Sequence, residues 1–325
     1  MNQNRLQANK ENYHSLQNAR LGKDVKRPFL SKDFGHLLPH SLQPDLVIRD
    51  ESCLPQPPPS LPLELADPQQ VVEFQAAIFG YIQARDAEAV VNPYYMNDQL
   101  DINAKMRSIL VDWLIDVHIK FKLLPQTIFM TVNLIDRFLS HHQATRQQLQ
   151  LVGITALMII CKFEEIYPPL LKDYVAVCDN AYTREQILEM EGVVILALNF
   201  DVSRTSCFAF LEQLQLRVRL EPRAFVFAKY ILENALFDLN SLRYSNLVLV
   251  SGAIFLVNKI FKRGNWKATF EATVGVAEGV AKACAKELFG TMQKMETVNL
   301  TALKRKYATP ENFEVSKYRI EKAKN

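Results

Sequence analysis

The chain has 325 residues, 38 basic and 35 acidic side chains and a net charge of +3, a length that suits about two domains of typical size. With 49% hydrophobic and 22% charged residues it can fill a real core, and so small a net charge does not by itself argue for nucleic acid. Only ten Gly are present, which leaves little scope for Gly-rich phosphate loops or many tight β-turns.

The first 69 residues carry nine of the 15 Pro, including Pro57, Pro58 and Pro59. They are rich in Gln, Asn and Ser, and their apolar residues keep no period. Residues 1–69 therefore read as a disordered N-terminal tail with a stiff extended piece near LPQPPPSLPL. The tail is polar and shows no signal-peptide core. A helical pattern begins near Asp67, where DPQQ offers an N-cap followed by Pro, and VVEFQAAIFGYIQARD reads as one amphipathic helix.

From Asp101 onward apolar residues recur at three- and four-residue spacing, broken by the joints KLLPQT, SHHQATR, EIYPPL and DNAYT. Thr183 and Gln186 form a capping box ahead of ILEMEGVVILALNF. FDVSRTS, residues 200–206, interrupts the pattern. FAFLEQLQLRV, PRAFVFAKYILENAL, SNLVLVSGAIFLVNKIF and a long helix around FEATVGVAEGVAKACAKELFGTMQKM follow. The natural parse is all-α: an N-terminal helix and a first helical domain over residues 70–203, a second over 204–308, and a basic C-terminal tail over 309–325, with the whole basic stretch from Ala302 read as solvated. The longest apolar runs, LVGITALMIICKF and LVLVSGAIFLVNKIF, are shorter than a membrane span and carry Lys, so they read as buried core helices, with no membrane role. Cys53, Cys161, Cys178, Cys207 and Cys284 form no CxxC pair and lack disulfide-framework spacing, which points to a reducing compartment.

Polar residues on the first of these helices, MRSILVDWLIDVH, raise the question of chemistry. On a helical wheel Met106, Leu110, Leu114, Val117 and Phe121 cover one face. Ile109, Trp113 and Asp116 flank it, Asp112 follows on the same side, and Arg107 and His118 lie on the opposite flank. Asp112 and Asp116 are one turn apart and could share a metal, with His141 or His142 from elsewhere. His118 points away, so no site forms from this helix alone. The plain readings are a solvated Asp112 and a His118 that favours the C-terminal dipole. Met106, Ile109 and Trp113 beside Asp116 make either core or a shallow apolar groove with one acidic anchor, suited to a short peptide that carries a cation and a bulky apolar residue.

Two charges sit on apolar stripes. Glu191 lies among Ile187, Val194, Ile195 and Leu198, and Lys162 lies beside Leu151 and Met158. They must pair or face a partner. Asp136, among Val132, Ile135, Phe138 and Leu139, pairs with Arg107 as a structural brace.

MRSILVDWLIDVHIKF, TVNLIDRFLS, LQLVGITALMIICKFEEIYPP and YTREQILEMEGVVILALNFDV, in this order, resemble the cyclin box of mitotic A/B-type cyclins, with the B-type favoured. The likeness continues more weakly through Trp266 and KRKYATPENFEVSKY. The resemblance implies two tandem five-helix cyclin folds preceded by an N-terminal helix. It implies a non-enzymatic regulatory subunit that binds and activates a cyclin-dependent Ser/Thr kinase at the G2/M transition, needs no cofactor or metal, and works in nucleus and cytoplasm. By that resemblance Lys162, Glu191, Ile159, Phe163, Ile195, Phe200 and Val202 contact the kinase. Met106, Ile109, Leu110, Trp113, Asp116, Leu149 and Gln150 form the docking patch for Arg-x-Leu substrates. Asp116 stands where animal A-type members usually carry Glu, so its reach to a peptide Arg is one methylene shorter. Lys10, Glu11 and Asn12 spell KEN, and Arg27 and Leu30 a minimal destruction box, with Gly35 where an Asn is expected; both imply hand-over to a ubiquitin ligase. The contrasting reading is a cyclin-fold transcription factor that binds nucleic acid, against which stand the modest charge and the acidic pair after Phe163.

Overall fold

Three- and four-residue apolar spacing becomes helix throughout the computed structural model, which describes residues 72–87, 91–218, 220–261, 271 and 273–318. The degron motifs, Cys53, Asp67 and Trp266 lie outside these residues. The helices are α1 (Gln75–Ala87), α2 (Ala104–Phe121), α3 (Pro125–Leu139), α4 (Arg146–Glu164), α5 (Leu171–Val177), α6 (Arg184–Ala197), α7 (Cys207–Val218), α8 (Pro222–Ala235), α9 (Asn246–Ile260), α10 (Glu278–Thr297) and α11 (Ala302–Lys306). Their starts follow local chemistry. Asn103 accepts a hydrogen bond from the Met106 N–H, Thr145 and Thr183 each form a capping box with the Gln three residues on, and Pro125 and Pro222 occupy the first turns of α3 and α8.

Each domain is built around a helix that is apolar on every side and therefore buried on every side. In α4 every residue from 151 to 161 is buried, under α2, α3 and α6. In α9 residues 249–255 are buried, under α7, α8 and α10. Both central helices carry a glycine where a neighbour comes too close for a side chain. A Cβ on Gly153 would lie 2.7 Å from a Leu110 methyl, and one on Gly252 would lie 2.7 Å from the Cys284 sulfur.

Two expectations are corrected. The long helix near residue 270 is interrupted at 275–277, where the bend lets both Val274 and Val276 enter the core. The segment from Ala302 is not a solvated tail. Ala302, Leu303, Tyr307 and Val315 are buried, and Tyr318 packs edge-on against Phe227 and Phe261. Its basic side chains are partly neutralised: Lys306 Nζ donates to both oxygens of buried Glu233 at 2.8 and 2.7 Å, and the Tyr307 hydroxyl donates to the same carboxylate at 2.6 Å.

The domains are tied by buried polar contacts. Arg107 Nε and Nη2 donate to the two oxygens of Asp136, each at 2.7 Å, and the Tyr95 hydroxyl donates to Oδ1 at 2.7 Å. Arg107 Nη1 crosses to the second domain and donates to the Leu236 carbonyl at 2.7 Å, beside a Ser108 hydroxyl that donates to the Phe237 carbonyl. Burial alone would lower the Arg107 pKa, but the Asp136 charge more than offsets this and the guanidinium stays charged. At the linker Asp201 receives Arg85, Arg137 and Arg204. The N-terminal helix rests on the second domain. Phe79 packs edge-on to Phe210, and Asp86 accepts from the Asn246 side chain at 2.7 Å. Cys161, Cys178, Cys207 and Cys284 are buried free thiols. Among the described residues no helix is long and apolar enough to cross a membrane.

His118 is corrected as well. It is buried, and its Nε2 lies 2.9 Å from the Leu124 carbonyl. Burial and the nearby Lys306 charge lower its pKa to about 4. It is a neutral donor to a loop carbonyl rather than a cation at the helix end. The wheel places Arg107 and His118 on one flank of the core face, and the second domain and α11 cover that flank.

Two measurements check this account. Arg107→Ala strands the buried Asp136 charge and should cost about 3–5 kcal/mol in urea unfolding. The double change Arg107→Met with Asp136→Leu should recover a large part of that loss. The native His118 pKa near 4 lies below the ordinary value of 6.5. As pH falls the unfolded chain therefore takes up the proton first. This contribution is complete above about pH 6.5 and is lost toward pH 4, by up to about 3 kcal/mol. In His118→Gln the unfolding free energy should depend less steeply on pH across this window.

Candidate functional site

Helical geometry brings one polar pair to the surface between α4 and α6. Ile159, Lys162 and Ile166 recur at three- and four-residue spacing along α4 and just past its end, as Leu188, Glu191 and Ile195 do along α6. Where the rows meet, Lys162 Nζ donates to Glu191 Oε1 at 2.6 Å, with Lys162 about half exposed. The apolar stripe beneath Glu191 is buried at Ile187, Val194 and Leu198, while Ile195 is half-buried.

Around this pair lie large apolar side chains with nothing over them. Phe163 is 52% exposed and Phe200 66% exposed. Asn199 and Phe200 both adopt left-handed backbone (φ 51 and 61), a conformation uncommon for a bulky residue. The Phe200 N–H closes on the Ile195 carbonyl at 2.9 Å, so the end of α6 turns the ring outward. Val202 is half-buried behind it. Ile159 differs from its expected position: it is buried in the core of this chain and supports the patch from beneath.

The sequence reading missed the joint after α4. Ile166, Leu170 and above all Tyr167, 91% exposed, add uncovered apolar surface just past the end of α4, and Leu188 and Leu196 are exposed on α6. The signal was present in EIYPPL, where large apolar residues stand in a proline joint too short to bury them. The acidic pair before them is structural. Glu165 accepts from the Leu124 N–H at 2.8 Å and the Thr127 hydroxyl at 2.6 Å, which caps the start of α3, and Glu164 accepts from the Gln126 amide.

The second cluster lies on α2. Ile109 is exposed, and Met106 and Trp113 are half-buried beside it. Leu110 and Leu149 are buried under them as floor rather than wall, and Gln150 lies at the rim. Asp116 does not stand free. Its Oδ1 accepts from Arg305 of α11 at 2.5 Å. Asp112 is not a plain solvated residue either, because its Oδ1 accepts from the Ala302 N–H at 3.1 Å at the start of α11. Burial raises its pKa. Asp112 thus anchors the start of α11 against α2, and Arg305 reaches from that helix to Asp116. Among the described residues no group of three metal-ligating side chains converges.

Comparison with known proteins matches residues 77–203 to the family model "Cyclin, N-terminal domain" and residues 205–321 to "Cyclin, C-terminal domain". The chain is 36% identical over 240 residues to Cyclin-B2-2 of Oryza sativa subsp. indica, covering 74% of this chain and 57% of that one. It is 33% identical over 240 residues to the G2/mitotic-specific cyclin-2 of Medicago sativa, covering 74% of this chain and 73% of that one. The matched region thus spans little more than half the length of the rice relative. Among solved structures, a viral cyclin from herpesvirus saimiri shares the fold with a TM-score of 0.59 and 17% identity, over 66% of this chain and 96% of that one. A chain of the yeast RNA Pol II CTD kinase CTDK-1 complex aligns with a TM-score of 0.52 and 12% identity, over 71% of this chain and 82% of that one.

Proposed function

The chain belongs to the cyclin family, and from that premise we propose that it is the regulatory subunit of a cyclin-dependent Ser/Thr protein kinase at entry into or progress through mitosis. The observation that carries this is the Lys162–Glu191 pair set among uncovered Phe163, Tyr167 and Phe200. Apolar surface of this kind, with a polar pair at its centre, suits a protein partner. The names of the G2/mitotic relatives support the stage.

A kinase of this class switches between arrangements in which its Lys–Glu pair and activation loop are or are not in place. A partner that binds one arrangement better shifts the population toward it. The cyclin then contributes binding energy and shape rather than a catalytic group. Ile195, Val202, Phe163 and Phe200, with Ile159 behind them, form the apolar part of that face, and Lys162 and Glu191 offer a donor and an acceptor to the kinase backbone.

The α2 surface supports a second role in the same complex. Ile109, Met106 and Trp113 above Leu110 and Leu149, with Gln150 at the rim and Asp116 at one end, fit a peptide of the Arg-x-Leu type. The tail motifs Lys10–Glu11–Asn12 and Arg27 with Leu30 fit recognition by a ubiquitin ligase after mitosis.

Two experiments test these assignments. In a pull-down from synchronised cells the chain should retain a kinase, and the purified pair should phosphorylate substrate where the chain alone does not. Glu191→Ala and Lys162→Ala should each weaken that complex about 10- to 100-fold, the range of a central contact residue, with thermal unfolding little changed. Unaltered affinity in both variants would sink the assigned face. Replacing Lys10, Glu11 and Asn12 with Ala should lengthen the half-life of the chain at mitotic exit. An unchanged half-life removes that motif.

A further inference from the structure

Asp116 already holds a guanidinium from its own chain. Arg305 sits one turn into α11, whose Ala302 and Leu303 are buried and whose first N–H is held by Asp112. The helix is therefore fixed, and the Arg305 side chain reaches from it to Asp116. Both ends of this pair are wet: Arg305 is 63% exposed and Asp116 43%. An exposed pair of this kind is weak and exchanges readily. Beside it lies a groove of about 650 Å³ lined by Asp116, Ile119, Lys122, Arg305, Thr309 and Glu311. The groove gives Arg305 room to leave Asp116.

Resting on the docking reading above, we propose that Arg305 is an internal competitor for the docking acid, neutralising Asp116 until the arginine of an Arg-x-Leu segment displaces it. A tethered competitor acts at high effective concentration and taxes every peptide whose arginine must reach Asp116 by the same factor. It thereby raises the threshold for docking, and peptides with good apolar contacts to Ile109 and Trp113 pass while those that rely on arginine alone do not. The short Asp116 side chain strengthens the effect, because Arg305 bridges the gap from a fixed helix and a peptide arginine must approach closely to replace it.

The test is fluorescence anisotropy of a labelled Arg-x-Leu peptide, and of a control with Ala in place of Arg, on the full-length chain bound to its kinase. Arg305→Gln should tighten the Arg-x-Leu peptide about two- to five-fold, the range open to an exposed ion pair. The gain should shrink at high salt and be absent for the control peptide. Asp116→Asn should weaken the Arg-x-Leu peptide, and in that background Arg305→Gln should bring no gain. If Arg305→Gln leaves affinity unchanged or lowers it while Asp116→Asn still weakens binding, the competitor role is wrong and the docking reading stands. If Asp116→Asn changes nothing, both fall. Arg305→Lys, which keeps the charge, should stay near the wild type, and a gain equal to that of Arg305→Gln would also overturn the proposal. Thermal unfolding of each variant separates these effects from loss of fold.

Discussion

One buried ion pair sets the geometry of everything else. Arg107 and Asp136 are almost wholly removed from water, and removing either charge alone would leave the other in a medium that cannot solvate it. The contact satisfies this constraint by engaging all three guanidinium nitrogens and both carboxylate oxygens. The carboxylate takes two bonds from the guanidinium and one from Tyr95, and the third guanidinium nitrogen reaches the Leu236 carbonyl of the second domain. Helices α2 and α3, the segment before α2 and the end of α8 are thus tied at one point. The two surfaces available for recognition are laid out from it: α2 carries one, and α4, packed on α2 and α3, carries half of the other.

The same chemistry recurs twice in wetter surroundings with a different outcome. Lys162–Glu191 and Asp116–Arg305 are also short ion pairs, but each is substantially exposed. Water already solvates such charges, so the pair adds little to stability, and its groups can be given up to a partner at small cost. Burial therefore divides the charged residues into those that hold the protein together and those that can recognise something. Glu233, with Lys306 and Tyr307, belongs to the first class and locks the C-terminal segment down. Arg305, one position away from Lys306, belongs to the second.

Much of this was legible in the residues. The unbroken apolar runs around 151–163 and 247–261 read as core helices, because a helix without a polar side has nowhere to go but inside. Charges on apolar stripes, at Lys162, Glu191 and Asp136, stood out because an unpaired charge there is costly. Other features were not legible. One helical wheel describes a helix against one core, whereas α2 meets a second domain on the flank that carries Arg107 and His118. Ile159 looks like a contact residue by its place in the row, yet it is covered by its own chain. The basic segment from Ala302 reads as solvated because its charges outnumber its apolar residues; its burial depends on three widely spaced side chains, Leu303, Tyr307 and Val315.

The sequence by itself determined the all-helical class, the two-domain division near residue 203, the helix starts set by Thr183 and Pro222, and the family to which the chain belongs. These follow from periodicity, caps and linear motifs, all properties of near neighbours along the chain. Only the tertiary structure decided which groups meet between the first domain and the second. Asp116 and Arg305 are 189 residues apart, as Arg107 and Leu236 are 129 apart. No local pattern encodes such a distance. A long-range ion pair is written only in the packing that brings its two helices together.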